Sequence, residues 1–189
     1  NHRLIEFEPG PSVTIIHGRN GSGKTSILEA VHYCALTRSM SGSTDRECLA
    51  FGAEHFSLRS TFRSDHEVTS EVKVIFSSEQ EKQVFVNEQE IPVFSRHIGT
   101  IPCVTFSPSE MAIVTGSPGE RRKFMDTAMS QHDRRYLSDL IQYRRVLQQR
   151  NALLSAGNSA GDDHAGLDIW TEQLSGLAAA IVVARMGFV

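Results

Sequence analysis

Gly18-Arg19-Asn20-Gly21-Ser22-Gly23-Lys24-Thr25 decides how the rest of this chain is read. The spacing, a glycine, four residues, then Gly-Lys-Thr, is that of a phosphate-binding loop. Glycines at 18, 21 and 23 let the backbone take positive φ and approach a ligand without a Cβ. Successive N–H groups then point inward as an anion-binding nest. Lys24 adds a mobile charge for the β- and γ-phosphates of a nucleotide, and the Thr25 hydroxyl is a candidate Mg²⁺ ligand.

The flanks agree with that reading. Val13-Thr14-Ile15-Ile16-His17 is a short β-branched run and predicts a buried strand entering the loop. Behind the loop, Ile27, Leu28, Ala30, Val31, Cys34 and Ala35 recur at helical spacing. They predict a helix from about Gly23 to Leu36 whose N-terminus faces the phosphates.

The 189 residues suffice for one large domain or two small ones, each with a core. A hydrophobic fraction of 40% and a charged fraction of 22% describe a globular chain rather than a disordered one. The net charge of −3 gives no global basic field. The charge is uneven, with 10 Lys/Arg against 14 Asp/Glu in residues 1–116 and 9 against 8 in 117–189. Cys34, Cys48 and Cys103 show no CxxC pairing, which points away from a disulfide framework or zinc site and toward a reducing, cytoplasmic setting. The eight histidines show no metal-ligand spacing and are read as structural or surface groups. The longest apolar run, Leu177 to Ala184, is too short to span a bilayer, so no membrane is expected. Both ends look cut, because the chain enters a strand at once and stops inside an apolar helical pattern.

Along the chain, Arg3–Glu8 alternates, and Pro9-Gly10-Pro11 turns it toward Val13. Thr37–Thr44 reads as a loop. Phe56–Phe62, Val68–Phe76 and Val84–Val86 alternate with short polar joints, which predicts an antiparallel meander. Ile98–Phe106 is a further strand candidate. Ser107-Pro108-Ser109-Glu110 and Ser117-Pro118-Gly119-Glu120 each offer a capping serine, a first-turn proline and a glutamate that bonds back. The second helix is expected to bury Phe124, Met125, Ala128 and Met129. A long helix should follow from about Asp133 to Leu154, with Leu137, Leu140, Ile141, Leu147 and Leu154 as its apolar stripe. Ser155–Gly166 reads as a linker before a last helix near Asp168. The expected organisation is an ATP-binding lobe with a mixed sheet over 1–115 and an all-helical arm over 116–189.

These blocks together resemble the RecF family of bacterial recombination proteins, whose ATPase heads are of the ABC/SMC class. The resemblance is carried by Gly18 through Ala30, Thr37-Arg38-Ser39, Asp45 through Leu49, and Phe51-Gly52. More specific are Phe106 through Met111 with Gly116 through Asp126. Most specific are Tyr143 through Leu154 and Leu167 through Leu174. Ser26 stands where the family usually has Asn, and Ser109-Glu110 where an acidic pair is usual. The resemblance implies an α/β fold: an ABC/SMC-like P-loop lobe with an antiparallel meander, then a truncated helical arm. It implies ATP and Mg²⁺ as cofactors, held by Gly18, Arg19, Asn20, Gly21, Ser22, Gly23, Lys24, Thr25 and Ser26. It also implies DNA as a partner, single-stranded or at duplex junctions, RecO and RecR as protein partners, and an ATP-dependent homodimer. The role implied is recombinational repair, with links to replication and the SOS response, helping RecA load at single-stranded gaps. In such proteins the ABC signature and the acidic metal-holding strand lie beyond the position of residue 189. This stretch is therefore expected to carry no catalytic residue of its own and to be inactive alone, with slow ATP hydrolysis in the complete protein.

Arg121, Arg122, Lys123, Arg144 and Arg145 are the candidate DNA contacts within a basic stretch that also holds Arg134, Arg135 and Arg150. The competing reading is a solvated helical face. Pro108 and Glu110 fit a γ-phosphate sensor or, more simply, a helix cap. Trp170 fits the arm's core better than a base-stacking platform. Two rivals remain. An SMC-type head with a structural role in chromosome or DNA-end handling would call for a coiled coil, and no sustained heptad run follows. A small-molecule P-loop kinase would be a compact parallel α/β unit, against which the meander argues.

Overall fold

The computed structural model describes residues 2–157 and 164–188. The chain divides into two compact units, Asn1–Thr105 and Phe106–Val189, so the division falls earlier than the expected change of character at residue 115.

In the first unit, helix α1 (Lys24–Leu36) packs on a four-stranded sheet of β1 (His55–Arg63), β2 (Thr69–Ser77), β3 (Gln83–Val86) and β4 (Gln89–Glu90). The strands lie in sequence order and every neighbouring pair is antiparallel. Alternation sets the register. Phe56 faces Phe76, Leu58 faces Val74 and Val74 faces Val84, all on the helix side, while Arg59 and Lys73 pair on the opposite side. The core is Tyr33, Cys34, Val72, Val74 and Val84, with Phe56, Leu58 and Phe62 packed around it. The Tyr33 ring meets Phe56 edge-on, centroids 5.5 Å apart. Strand β4 follows a two-residue turn in which Asn87 and Glu88 both take positive φ, 49° and 66°.

Three expected strands carry no ladder. Arg3–Glu8, Val13–His17 and Ile98–Phe106 are without strand pairing, and Val13, Ile15 and Phe106 are 81%, 80% and 93% exposed. Their periodicity suits a strand, but a strand is completed by a hydrogen-bonded neighbour, and none of the described residues offers them one.

Fully buried His97 ties the sheet side to α1. Its Nε2–H donates to the Cys34 carbonyl at 2.8 Å, one of the helix's last carbonyls. Lys82, in the joint between β2 and β3, reaches the same helix end. Its ammonium donates to the Thr37 carbonyl at 2.8 Å and pairs with Asp45 at 2.9 Å. It lies 5.2 and 5.3 Å from the ring centroids of Tyr33 and Phe94. The Tyr33 hydroxyl donates to the same aspartate.

The second unit is helical. Pro108–Met111 is a 3₁₀ turn rather than the start of a full helix, and α2 (Ala112–Thr115) is a single turn. Gly116 ends it, and a Cβ there would lie 2.4 Å from the Ala112 carbonyl oxygen. Helix α3 (Pro118–His132) starts with proline as expected, but the Ser117 side chain makes no cap bond. Asp133 closes α3 and opens α4 (Arg134–Gly157), its Oδ1 accepting from the Arg135 and Tyr136 amides at 2.8 and 3.1 Å. Helix α5 (His164–Phe188) returns alongside α4. The expected linker is helical at both ends, since α4 runs to Gly157 and α5 is already under way at His164, and residues 158–163 lie outside the described residues.

The core here is Met129, Tyr136, Leu140 and Ile181, with Met125, Tyr143 and Ala184 packed on it. Val146 is also buried, so the α4 seam runs through Tyr136, Leu140, Tyr143 and Val146. Ile141 and Leu154, expected in the stripe, are exposed, as is Phe124 on α3. Polar Tyr136 and Tyr143 take the inward positions because Tyr136 finds a buried partner. Its hydroxyl donates to Asp126 at 2.5 Å, and Arg185 from α5 reaches the same carboxylate through Nη2 at 2.7 Å and Nε at 3.1 Å. Leu167–Phe188 is long and apolar enough by length and composition to cross a membrane, a property the count of consecutive apolar residues did not bring out. In this fold Ile181 buries against α3 and α4, and Arg185 is ion-paired.

Candidate phosphate-binding loop

The glycine loop leads directly into α1. Gly18, Gly21 and Gly23 take φ of 149°, 79° and 86°. All three angles lie where an L side chain is strained. The positions differ in space. A Cβ on Gly21 would meet nothing, one on Gly18 would sit 3.3 Å from the Ser22 Oγ, and one on Gly23 would strike the His2 ring.

Gly23 is the N-cap of α1 and offers no side-chain cap bond, and the first helical turn holds no acidic residue. The helix's leading N–H groups therefore keep their capacity for an anion, with the positive end of the helix dipole behind them. Lys24 curls back over the loop, its Nζ donating to the Gly18 and Arg19 carbonyls at 2.9 and 2.8 Å. Those bonds hold the ammonium at the loop. Arg19, Asn20, Ser22 and Thr25 are exposed, and Ser26 is half-buried. Among the described residues no three His, Cys, Asp or Glu side chains gather as a metal site, and Thr25 follows Lys24 in the first turn of α1.

The candidate DNA residues belong to the other unit and separate into two kinds. Arg121 donates to the Ile113 and Gly116 carbonyls at 3.4 and 3.2 Å, closing the end of α2. Arg144 reaches Asp126 at 3.6 Å. Arg122, Lys123 and Arg145 are exposed, and Arg145 lines an open groove between α4 and α5 with Gln149 and Trp170. Trp170 is half-buried there rather than sealed in the core.

A turn of positive-φ glycines, a lysine folded onto it and an uncapped helix behind it make up the loop, and known proteins share it. The family described as AAA domain matches residues 1–159. The chain belongs to that family. Among curated relatives of this AAA-domain chain, "DNA replication and repair protein RecF" of Chlorobaculum tepidum is 58% identical over all 189 residues. The protein of the same name from Chlorobaculum parvum is 59% identical over the same length. The chain spans about half the length of these relatives, 51% in both cases. A solved structure described as the recombination mediator protein RecF-ATP in the RecFOR pathway superposes with a TM-score of 0.90 at 31% identity. That match covers 97% of this chain and 49% of the other. The RecF resemblance read from the motifs thus holds across the whole chain, and with it the α/β ATPase-type fold.

One residue at the loop escaped the sequence reading. His2, counted among structural or surface histidines, lies against Gly23 with Nε2 3.2 Å from its carbonyl oxygen. Twenty-one positions separate the two, and no spacing rule connects them.

Proposed function

We propose that this chain is the nucleotide-binding portion of a DNA replication and repair ATPase of RecF type. Bound ATP would lie with its β- and γ-phosphates in the nest of Gly18 to Gly23. Backbone N–H groups from Gly21 to Thr25 would donate to it, and the Lys24 ammonium would neutralise the terminal charge. The Thr25 hydroxyl would take one position on Mg²⁺, which draws charge from the phosphates when bound. Arg19, Asn20, Ser22 and Ser26 border the seat. Phosphoryl transfer also needs a metal-holding acid and a group that orients water. Neither is assigned to this chain, so hydrolysis is proposed for the complete protein only.

DNA binding is proposed for the helical arm, at the exposed Arg122, Lys123 and Arg145. Arg121 serves the arm's own structure first, whereas Arg144, 62% exposed and 3.6 Å from Asp126, stays available to DNA. RecO and RecR as partners, assembly into a nucleotide-dependent dimer, RecA loading at gaps, an SOS-linked role and a cytoplasmic location complete the reading. They rest on the names of the relatives and neighbours and on the motif blocks.

The observation that carries the nucleotide assignment is Lys24 folded onto a loop whose three glycines take positive φ, at the uncapped start of α1. Lys24→Ala in the complete protein should weaken ATP binding about ten-fold or more, the worth of a lost charge-assisted hydrogen bond. Equilibrium titration with ATP and Mg²⁺ measures this. Equal affinity of the two proteins would end the assignment.

A further inference from the structure

The geometry points to His2 as a positioning residue of the glycine loop, holding the Gly23 peptide so that the Lys24 amide faces the phosphate seat. The inference rests on the nucleotide reading above and assigns a role to a segment that reading leaves out.

The ring approaches Gly23 closely. A Cβ built on Gly23 would lie 2.1 Å from His2 Nε2 and 2.7 and 2.8 Å from Cε1 and Cδ2. The imidazole therefore covers the face of Gly23 from which a side chain would project. Only glycine, at φ 86° and without a Cβ, admits this packing. Glycine at position 23 thus suits the chain's own packing as well as the approach of a ligand.

The hydrogen bond orients what lies next to it. A carbonyl oxygen only accepts, so His2 Nε2 carries the proton and donates to Gly23 at 3.2 Å. The same oxygen accepts the first helical bond of α1, from the Ile27 amide, at a long 3.3 Å. In a planar trans peptide the C=O and the following N–H point in opposite directions. Two donors on the Gly23 oxygen therefore direct the Lys24 N–H outward from the start of α1, where an anion would accept it. A glycine N-cap has no side chain of its own to fix its peptide. His2 restricts it without touching the ligand.

The experiment uses the complete protein and equilibrium titration with ATP and Mg²⁺. His2→Ala should weaken binding about 3- to 10-fold, the effect of one lost hydrogen bond. His2→Gln, whose amide also donates, should restore most of the affinity. Thermal unfolding supplies a second readout that needs no ligand. Gly23→Ala should lower the midpoint less in a His2→Ala background than in wild type, because the added methyl no longer meets a ring. Wild-type affinity in His2→Ala, a loss that Gln leaves unrepaired, or equal costs of Gly23→Ala in both backgrounds would each overturn the inference. Lys24→Ala is titrated alongside. If it too binds ATP normally, the nucleotide reading fails. If it alone is impaired, only the role of His2 does.

Discussion

An aspartate, a tyrosine hydroxyl and a basic side chain meet in each unit, and the two meetings are built differently. In the first unit the cation is Lys82, whose ammonium is shared among Asp45, the Tyr33 hydroxyl and the Thr37 carbonyl. In the second it is Arg185, whose fork is spent on Asp126 with one further contact to Tyr136. A lysine ammonium radiates three donors from a point, so it joins groups lying in different directions. Lys82 accordingly ties a hairpin joint to the end of α1 and to the loop beyond it. A guanidinium donates within one plane, which suits α5 laid against α3 and α4.

Both tyrosines respond. Burial first, and then the aspartate accepting from the hydroxyl, raise the pKa of Tyr33 and Tyr136 above the usual phenol range. Burial opposes the charge on Arg185, but the bonds to Asp126 and Tyr136 outweigh it and raise its pKa.

If Asp126 is the common anchor of the arm, its loss should be the larger of the two injuries. Asp126→Ala removes the partner of Arg185, Tyr136 and Arg144 together. It should cost about 3–5 kcal/mol, as for a buried pair stripped of one side. Denaturant unfolding followed through Trp170, the single tryptophan of the 189 residues, measures it. A loss below about 1 kcal/mol would put the arm's stability in its apolar seam instead.

Lys82→Met keeps an aliphatic side chain of similar length and removes the ammonium, with its bonds to Asp45, Tyr33 and Thr37. Asp45 retains some contact with water, so the cost should be smaller, about 2–3 kcal/mol. Faster amide exchange at the last turn of α1 and the β2–β3 joint, with the loop at Gly18 to Gly23 unaffected, is the expected pattern. Exchange that rises evenly over the whole unit would show that Lys82 is no local tie.

Arg144→Ala is the smallest change. That arginine approaches Asp126 only to 3.6 Å and is 62% exposed, so its removal should cost no more than about 0.5 kcal/mol. A near-neutral result also frees Arg144→Ala for DNA titrations without a folding artefact. A cost above 1 kcal/mol would make Arg144 a full member of the Asp126 cluster.

Neither triad was legible beforehand. Lys82 and Asp45 are 37 positions apart, and Arg185 and Asp126 are 59 apart. Periodicity carries no information over such distances. What it did reveal was local. The glycine loop, the helix behind it and strands β1 to β3 all follow from spacing within about ten residues. Strand β4 was missed because Asn87-Glu88 lacks the glycine that normally marks a two-residue turn. Arg3–Glu8 and Val13–His17 were read as strands because alternation reports the ability to pair, and the partner has to come from elsewhere. His2 was missed for the same reason as the triads: its role exists only through Gly23.

Those unpaired runs bear on how the chain behaves in a tube. Each lacks a strand ladder and carries outward apolar side chains such as Leu4, Val13, Ile15, Val104 and Phe106. Such edges recruit one another, and Pro9, Pro11 and Pro102 interrupt them only at intervals. Concentration is therefore the variable to watch in any preparation of these 189 residues by themselves. Scattering, and the binding of dyes that brighten in oily surroundings, should climb with protein concentration well before either helical or sheet signal changes.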